Sequence, residues 1–370
     1  MTLSAHPAKS AAWITLILSV VYLLAAFVLV PTFSATPERI AMNAALADRV
    51  ESPSRTPAYL LWGVWQRFDT LWYRRVAEQG YDMPAATVFY PALPLAIRAL
   101  AFLHIPTDLG AVLAARIATF FLLWGLLLLL KLDLDDSAIH RALALMLAWP
   151  MSFVLFGGYA ESLLICFTVW SIWYARNNRW WLAALFAILA CLSRAAGMVV
   201  VAPLVWIAWR QRQLRYLPLL VALTGPFLYP AWLKWNGLPL ASVSYPRYWH
   251  TTMSWPWITL RDALHFTPGD NLWFLGMNAM AIVLAFGVAL ARPVRWEYFW
   301  YALGTLCLTL TSNARPPLHS FVRYALPVFP AFASAGRLLR VPPLMAFLWS
   351  LLLLANALLL YAFWDWFFLV

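Results

Sequence analysis

Apolar runs of ~20 residues, the length an α-helix needs to cross about 30 Å of hydrocarbon, follow one another along this chain and limit what it can become. They fall at about 12–31, 109–130, 141–156, 159–175, 180–193, 196–209, 216–235, 271–290, 297–311, 322–336 and 343–369. A water-soluble domain cannot carry them. Of the 370 residues 64% are apolar and only 11% charged, against about a quarter charged in proteins with a wettable skin. Disorder, collagen and coiled coil fall on the same grounds, since each needs high charge or a strict repeat. The expected fold is all-α: a polytopic membrane protein of about 11 transmembrane helices, one domain over residues 1–370.

The first run, Ala12 to Pro31, is too long for a signal-peptide core and has no small-residue cleavage site that stands out, so it is expected to remain as the first helix. With Lys9 and the N-terminus in the cytoplasm, alternation puts Lys131/Arg141, Arg176/Arg179, Arg210/Arg212/Arg215, Arg292/Arg295 and Arg337/Arg340 inside, as the positive-inside bias requires. The formal charge of +11 is then an orientation signal, not a nucleic-acid footprint. This threading needs Val88 to His104, with Pro91, Pro94 and Arg98, to be a shallow or re-entrant outer segment. The alternative is that 88–104 spans and one of the short pairs does not. Irregular backbone at that depth needs protein or a wet cavity beside it, which implies a cavity near Tyr90 and Pro91. The sizeable loops, about 32–108, 236–270 and 312–321, then all lie outside, and loops on rigid scaffolds carry function.

The densest polar cluster runs from Gln66 to Asp82. Leu61, Val64, Trp65, Phe68, Leu71/Trp72 and Val76 recur at three and four, which predicts an amphipathic interfacial helix ending at Gly80. Asp69 stands in it between Phe68 and Trp72. A carboxylate partly desolvated by aromatic rings bonds more strongly and suits general-base work; the alternative is an interfacial Asp paired with Arg67 or Arg75. Glu161 opens a later helix, where the dipole favours a carboxylate and plain capping is the competing role. Arg194 tips a short hairpin in Ser193-Arg194-Ala195-Ala196-Gly197. Intramembrane charges are functional candidates by default, with snorkelling to headgroups as the rival role. Arg315, His319 and Arg323 recur at about helical spacing ahead of Tyr324. Guanidinium groups bind phosphate in a bidentate fashion, and a headgroup anchor is the alternative here.

No P-loop, GxGxxG after a strand, HExxH or GxSxG is present. No nucleotide site or cofactor is expected, and no two carboxylates are close enough in sequence to argue for a metal. Asp133, Asp135 and Asp136, beside Lys131 and Arg141, are expected in a solvated turn. Cys166, Cys191 and Cys307 lie in apolar runs and are expected as buried small hydrophobes.

Several stretches occur in an order that is similar to a known family: Phe68-Asp69-Thr70-Leu71-Trp72-Tyr73 with Gly80-Tyr81, Phe89-Tyr90-Pro91-Ala92-Leu93-Pro94-Leu95, Tyr159-Ala160-Glu161-Ser162, Arg179-Trp180-Trp181-Leu182-Ala183 leading into Ser193-Arg194-Ala195-Ala196-Gly197, and Arg323-Tyr324 with Pro327 and Pro330. Together they resemble the PIG-V family of GT-C membrane mannosyltransferases. The resemblance implies a GT-C-like enzyme that uses a polyprenyl-phosphate-linked sugar, typically mannose, and acts on the non-cytoplasmic face with inversion at the anomeric carbon. A lipid or glycan would be the acceptor, membrane lipids the surroundings, and the plasma membrane the location in a prokaryote. Asp69 corresponds to the acidic residue of the first outer loop usually assigned as the base. Arg323, His319 or Arg194 would hold the donor phosphate; Trp72, Tyr73, Tyr90, Glu161 and Tyr324 would contact substrate. This chain has Phe68 where the family usually has Trp, and Ser193 before Arg194 where Thr is frequent, which leaves the acceptor open. The rival class is a polytopic lipid or lipid-linked sugar transporter or flippase, although no internal repeat of the transporter kind is found. A non-catalytic subunit that scaffolds another glycosyltransferase is the third.

Overall fold

The computed structural model describes residues 3–33, 53–212, 216–265, 295–314, 317, 318 and 320–367. The apolar run at 271–290, Arg315 and His319 lie outside the described residues. In chain order the helices are α1 (Pro7–Leu29), α2 (Pro57–Leu61), α3 (Asp69–Gln79), α4 (Ala92–Ala101), α5 (Thr107–Leu130), α6 (Asp136–Ala148), α7 (Glu161–Arg176), α8 (Trp180–Ser193), α9 (Val201–Arg210), α10 (Tyr216–Trp235), α11 (Ala241–Tyr248), α12 (Pro256–His265), α13 (Trp296–Leu310), α14 (Phe321–Ala325), α15 (Phe329–Leu338) and α16 (Pro342–Trp364). Two-residue strands β1 (Thr252–Met253) and β2 (Ser312–Asn313) pair antiparallel, Thr252 opposite Asn313, and tie the segment after α11 to the one after α13.

Three helical stretches among the described residues, Pro7–Thr32, α5 and α16, are long and apolar enough to cross a membrane. Their burial differs. In the most apolar part of α5, 61% of residues are inside the fold, against 17% for the first and 22% for α16. Helix α5 is therefore the central post, and the other two present Leu16, Ile17, Val28 and Leu354, each more than half exposed. An apolar surface of that extent matches lipid rather than water. Of the other described runs, 216–235 forms α10 over its whole length, and the rest fold as shorter or broken pieces. Proline accounts for two of the breaks. Pro150 keeps Trp149 out of the α region (ψ 135°), so α6 stops at Ala148, and Met151 (φ 70°) turns the chain into a 3₁₀ segment, Ser152–Phe156. Pro327 divides 322–336 into α14 and α15. The 88–104 stretch yields α4, ten residues or about 15 Å of rise.

Three expectations need correction. The amphipathic helix does not run from Leu61. A 3₁₀ turn, Gly63–Trp65, is capped at Gln66, Phe68 takes φ 46° and ψ −114° as the N-cap of α3, and α3 starts at Asp69; it ends at Gly80 (φ 75°) as expected. Asp133 does not sit in a solvated turn. Its side chain is 2% exposed and takes both Nη groups of Arg176, Nε of Arg295 (2.7 Å) and the hydroxyl of Tyr298 (3.0 Å), with Glu297 3.7 Å from Arg176. Burial pushes the Asp133 carboxyl up, but Arg176 and Arg295 more than offset this and hold it below the usual carboxylate range. The cluster joins the end of α5, the end of α7 and the start of α13. Cys307 also departs from expectation: it is exposed, whereas Cys166 and Cys191 are buried.

Candidate active site

The site forms at the end of α7 opposite Arg176, where four elements converge. Asp69 occupies the first position of α3, and its carboxylate lies at the positive end of the helix dipole. It is aimed there by Phe68, whose left-handed φ is costly for a side chain with a Cβ. The conformation is held because the Phe68 ring is packed on Phe363 (5.7 Å) and Trp366 (5.6 Å). The next residue, Thr70, donates its hydroxyl to Gly157 O at 2.7 Å. A Cβ at Gly157 would meet Trp65 at 2.8 Å, and one at Gly158 (φ 77°) would meet Thr70 Cγ2 at 2.8 Å. The two glycines thus allow Trp65 and the first turn of α3 to lie directly against the turn that leads into Glu161.

Arg194 follows α8 in an extended conformation. The chain then doubles back so closely that a Cβ at Gly197 would fall 1.9 Å from Ala190 O. Arg323 lies on α14, entered through two left-handed residues, Leu318 (φ 60°) and Ser320 (φ 56°), and anchored by Trp149 Nε1 donating to Val322 O at 2.9 Å.

These residues make one chain of charges. Arg323 Nη1 bonds Asp69 Oδ2 at 2.8 Å, Arg323 Nε lies 3.2 Å from Glu161 Oε1, and Arg194 Nη1 bonds the same Oε1 at 2.7 Å. Two carboxylates and two guanidiniums cancel formally, as buried charges must. Glu161 is 1% exposed, while the Asp69 and Arg194 side chains each keep 17%. Arg323 also donates to Tyr324 Oη (3.1 Å) and lies over the rings of Tyr159 and Tyr324 at 5.3 and 5.0 Å; Arg194 lies over Tyr324 at 5.2 Å. Two acceptor positions remain open. Glu161 Oε2 is buried with no donor, and Asp69 Oδ1 has no protein partner among the described residues.

The expected site residues Asp69, Glu161, Arg194, Arg323 and Tyr324 are therefore brought together. Tyr73 borders the same charges, and Tyr90 lies near Arg194, with its ring 4.7 Å from that of Tyr229. Trp72 does not reach the ion chain. It is 8% exposed, stacked on Phe89 at 5.5 Å and edge-on to Trp249, so it builds the flanking wall. His319 is outside the described residues. Arg67 and Arg75 are engaged elsewhere, with Trp364 O and Tyr59 Oη for the first and Asp82 for the second; neither is the partner of Asp69.

Two tyrosines were not singled out from sequence. The Tyr159 hydroxyl faces the backbone N–H of Asp69. Tyr245 comes from α11 and stands near Tyr324, Arg194, Tyr90 and Asp69. The short polar segment Ser242-Val243-Ser244-Tyr245-Pro246 has no periodicity that marks it. Burial pushes the phenols of Tyr73 and Tyr245 well up and that of Tyr90 to about 12, so all three stay neutral hydroxyls at physiological pH. The arrangement offers carboxylate acceptors, neutral hydroxyls and two guanidiniums around one point. Comparison of the chain with family models, curated proteins and solved structures finds no match.

Proposed function

We propose that this chain is an integral, multi-pass membrane glycosyltransferase of the GT-C type, similar to the PIG-V family. It moves a mannosyl or other hexosyl group from a polyprenyl-phosphate donor to a lipid or glycan acceptor. The observation that carries this reading is the state of Asp69: one oxygen is fixed by Arg323, the other has no protein partner among the described residues, and the side chain keeps 17% exposure among hydroxyls and cations. A carboxylate held in this way is oriented to take a proton from an incoming hydroxyl.

In the reaction the acceptor O–H gives its proton to Asp69 Oδ1 as its oxygen bonds to C1 of the sugar. The bond from C1 to the phosphate oxygen breaks on the opposite face, which inverts C1, and the lipid phosphate leaves with the electron pair. The donor's own phosphoester drives the step. The two arginines divide the remaining work. Arg323 is committed to Asp69, Glu161 and Tyr324, which suits a positioning residue. Arg194 has one carboxylate partner, so its remaining donors are available to the departing phosphate. Glu161 Oε2 and the phenols of Tyr73, Tyr90 and Tyr245 supply bonds for sugar hydroxyls.

The chain's two ends differ in a way that supports an outer-face site in the threading of about eleven crossings with a cytoplasmic N-terminus. Lys131, Arg141, Arg176, Arg295 and Arg340 gather at the end away from Asp69, as the inner side of a membrane protein requires. The test is label transfer from radiolabelled polyprenyl-phosphate-mannose into lipid and glycan fractions by membranes carrying wild type or Asp69→Asn. The variant is expected to lose about 10²-fold or more of the transfer, the scale of a general base. Equal labelling would remove Asp69 from the chemistry.

A further inference from the structure

At the end of the molecule away from Asp69 the charges do not balance. Asp133 and Glu297 engage Arg176 and Arg295. Asp135 caps α6 through Ala138 N–H, and Asp136 accepts from Ser4. Arg141, Arg337 and Arg340 have no carboxylate partner among the described residues. Two of the three, Arg141 and Arg340, border a groove of about 370 Å³ between α6 and the corner joining α15 to α16. The rest of its wall is apolar and includes Ala144, Leu339, Met345 and Trp349.

The guanidiniums are placed by the fold. Arg141 Nε donates to Gly336 O at 2.7 Å, and Arg340 Nε donates to Arg337 O at 3.2 Å. Helices α6 and α15 meet backbone to backbone at Gly336, where a Cβ would lie 2.5 Å from Ala138 O. Each arginine is thereby held by its Nε, and its Nη groups bond no described protein atom.

We propose that this groove binds an anionic glycerophospholipid. Its phosphate lies on Arg141 and Arg340, and the upper part of one acyl chain lies along Leu339, Met345 and Trp349. Charge complementarity selects the occupant. A zwitterionic lipid offers the same tail but brings its own cation towards two unpaired guanidiniums, and a free phosphate leaves the apolar wall unused. Basic pockets beside spanning helices on the inner side hold acidic headgroups for this reason. The inference rests on the chain lying in a membrane and is independent of the reaction at Asp69.

Native mass spectrometry of the full chain in a non-ionic detergent, titrated with dioleoylphosphatidylglycerol or dioleoylphosphatidylcholine, tests it. The first lipid is expected to be retained more tightly. Each guanidinium contributes roughly 5-fold, so Arg141→Gln/Arg340→Gln should bind phosphatidylglycerol about 30-fold more weakly and little better than phosphatidylcholine. Arg340→Gln alone changes an exposed side chain with one backbone bond, keeps the fold, and should lose the single factor. Arg210→Gln, on α9 and outside the groove, should bind as wild type. Equal retention of the two lipids by wild type, unchanged binding by the double variant, or an equal loss in Arg210→Gln would each overturn the proposal.

Discussion

Glu161 carries two guanidiniums on one oxygen and, among the described residues, has no donor on the other. At 1% exposure it cannot rely on water to replace a lost partner. Breaking a buried ion pair from one side costs roughly 3–5 kcal/mol, because the surviving charge stays buried and uncompensated, whereas removing both partners costs less. Glu161→Gln is therefore expected to lower the thermal stability of the detergent-solubilised protein by several degrees, and Glu161→Gln/Arg194→Gln to regain part of that loss. Unfolding curves of the two singles and the double give the coupling directly; strictly additive losses would show that the contact is geometric only. The charges themselves were legible in sequence, since an Asp, a Glu and two Arg stand out in so apolar a chain. Their pairing was not: Arg323 and Asp69 are 254 residues apart, and no local pattern links them.

At the scale of elements, the close contact of α3 with the Gly157–Gly158 turn sets the distance from Asp69 to Glu161. Gly158→Ala must accommodate both a left-handed φ of 77° and a Cβ 2.8 Å from Thr70 Cγ2 and 3.3 Å from that of Ala111. Gly237 has a similar φ of 67° but open space around it. Gly237→Ala is expected to lose about 1 kcal/mol from backbone strain. Gly158→Ala should lose that plus roughly 1–3 kcal/mol of overpacking, together with most transfer activity. Melting temperatures and label transfer measured side by side check this; equal effects of the two substitutions would mean that the contact with α3 is not what orders the site. Helix α8 was read from sequence to the residue, Trp180 to Ser193, because an unbroken apolar run between basic and small residues has one solution. The break at Phe68 was not legible. Positive φ is ordinarily announced by Gly or Asn, and here it is held by rings from the far end of the chain, Phe363 and Trp366.

At the scale of the whole molecule, the proposed threading puts the two chemically different ends on opposite sides of a membrane. Gln79 at the end of α3 and His140 on α6 are exposed and lie at the two ends. Because Cys307 is exposed, it is first replaced by Ser. In that background an impermeant thiol reagent added to intact cells is expected to label Gln79→Cys, and to label His140→Cys only after permeabilisation. The reverse pattern would invert the orientation and move the site to the cytoplasmic face.

That the chain is helical and apolar in long stretches, where its basic turns fall, and which few charges sit where lipid disfavours them can be read from the residues in order. These follow from local length, composition and periodicity, which act within a run of residues. It takes the packed fold to bring Asp69, Arg323, Glu161 and Arg194 into one neutral chain, to bury Asp133 among cations, and to add Tyr159 and Tyr245 to the site. Each depends on elements distant in sequence packing at ångström range. A buried charge finds its partner through that packing, and no property of either residue's neighbours fixes it in advance.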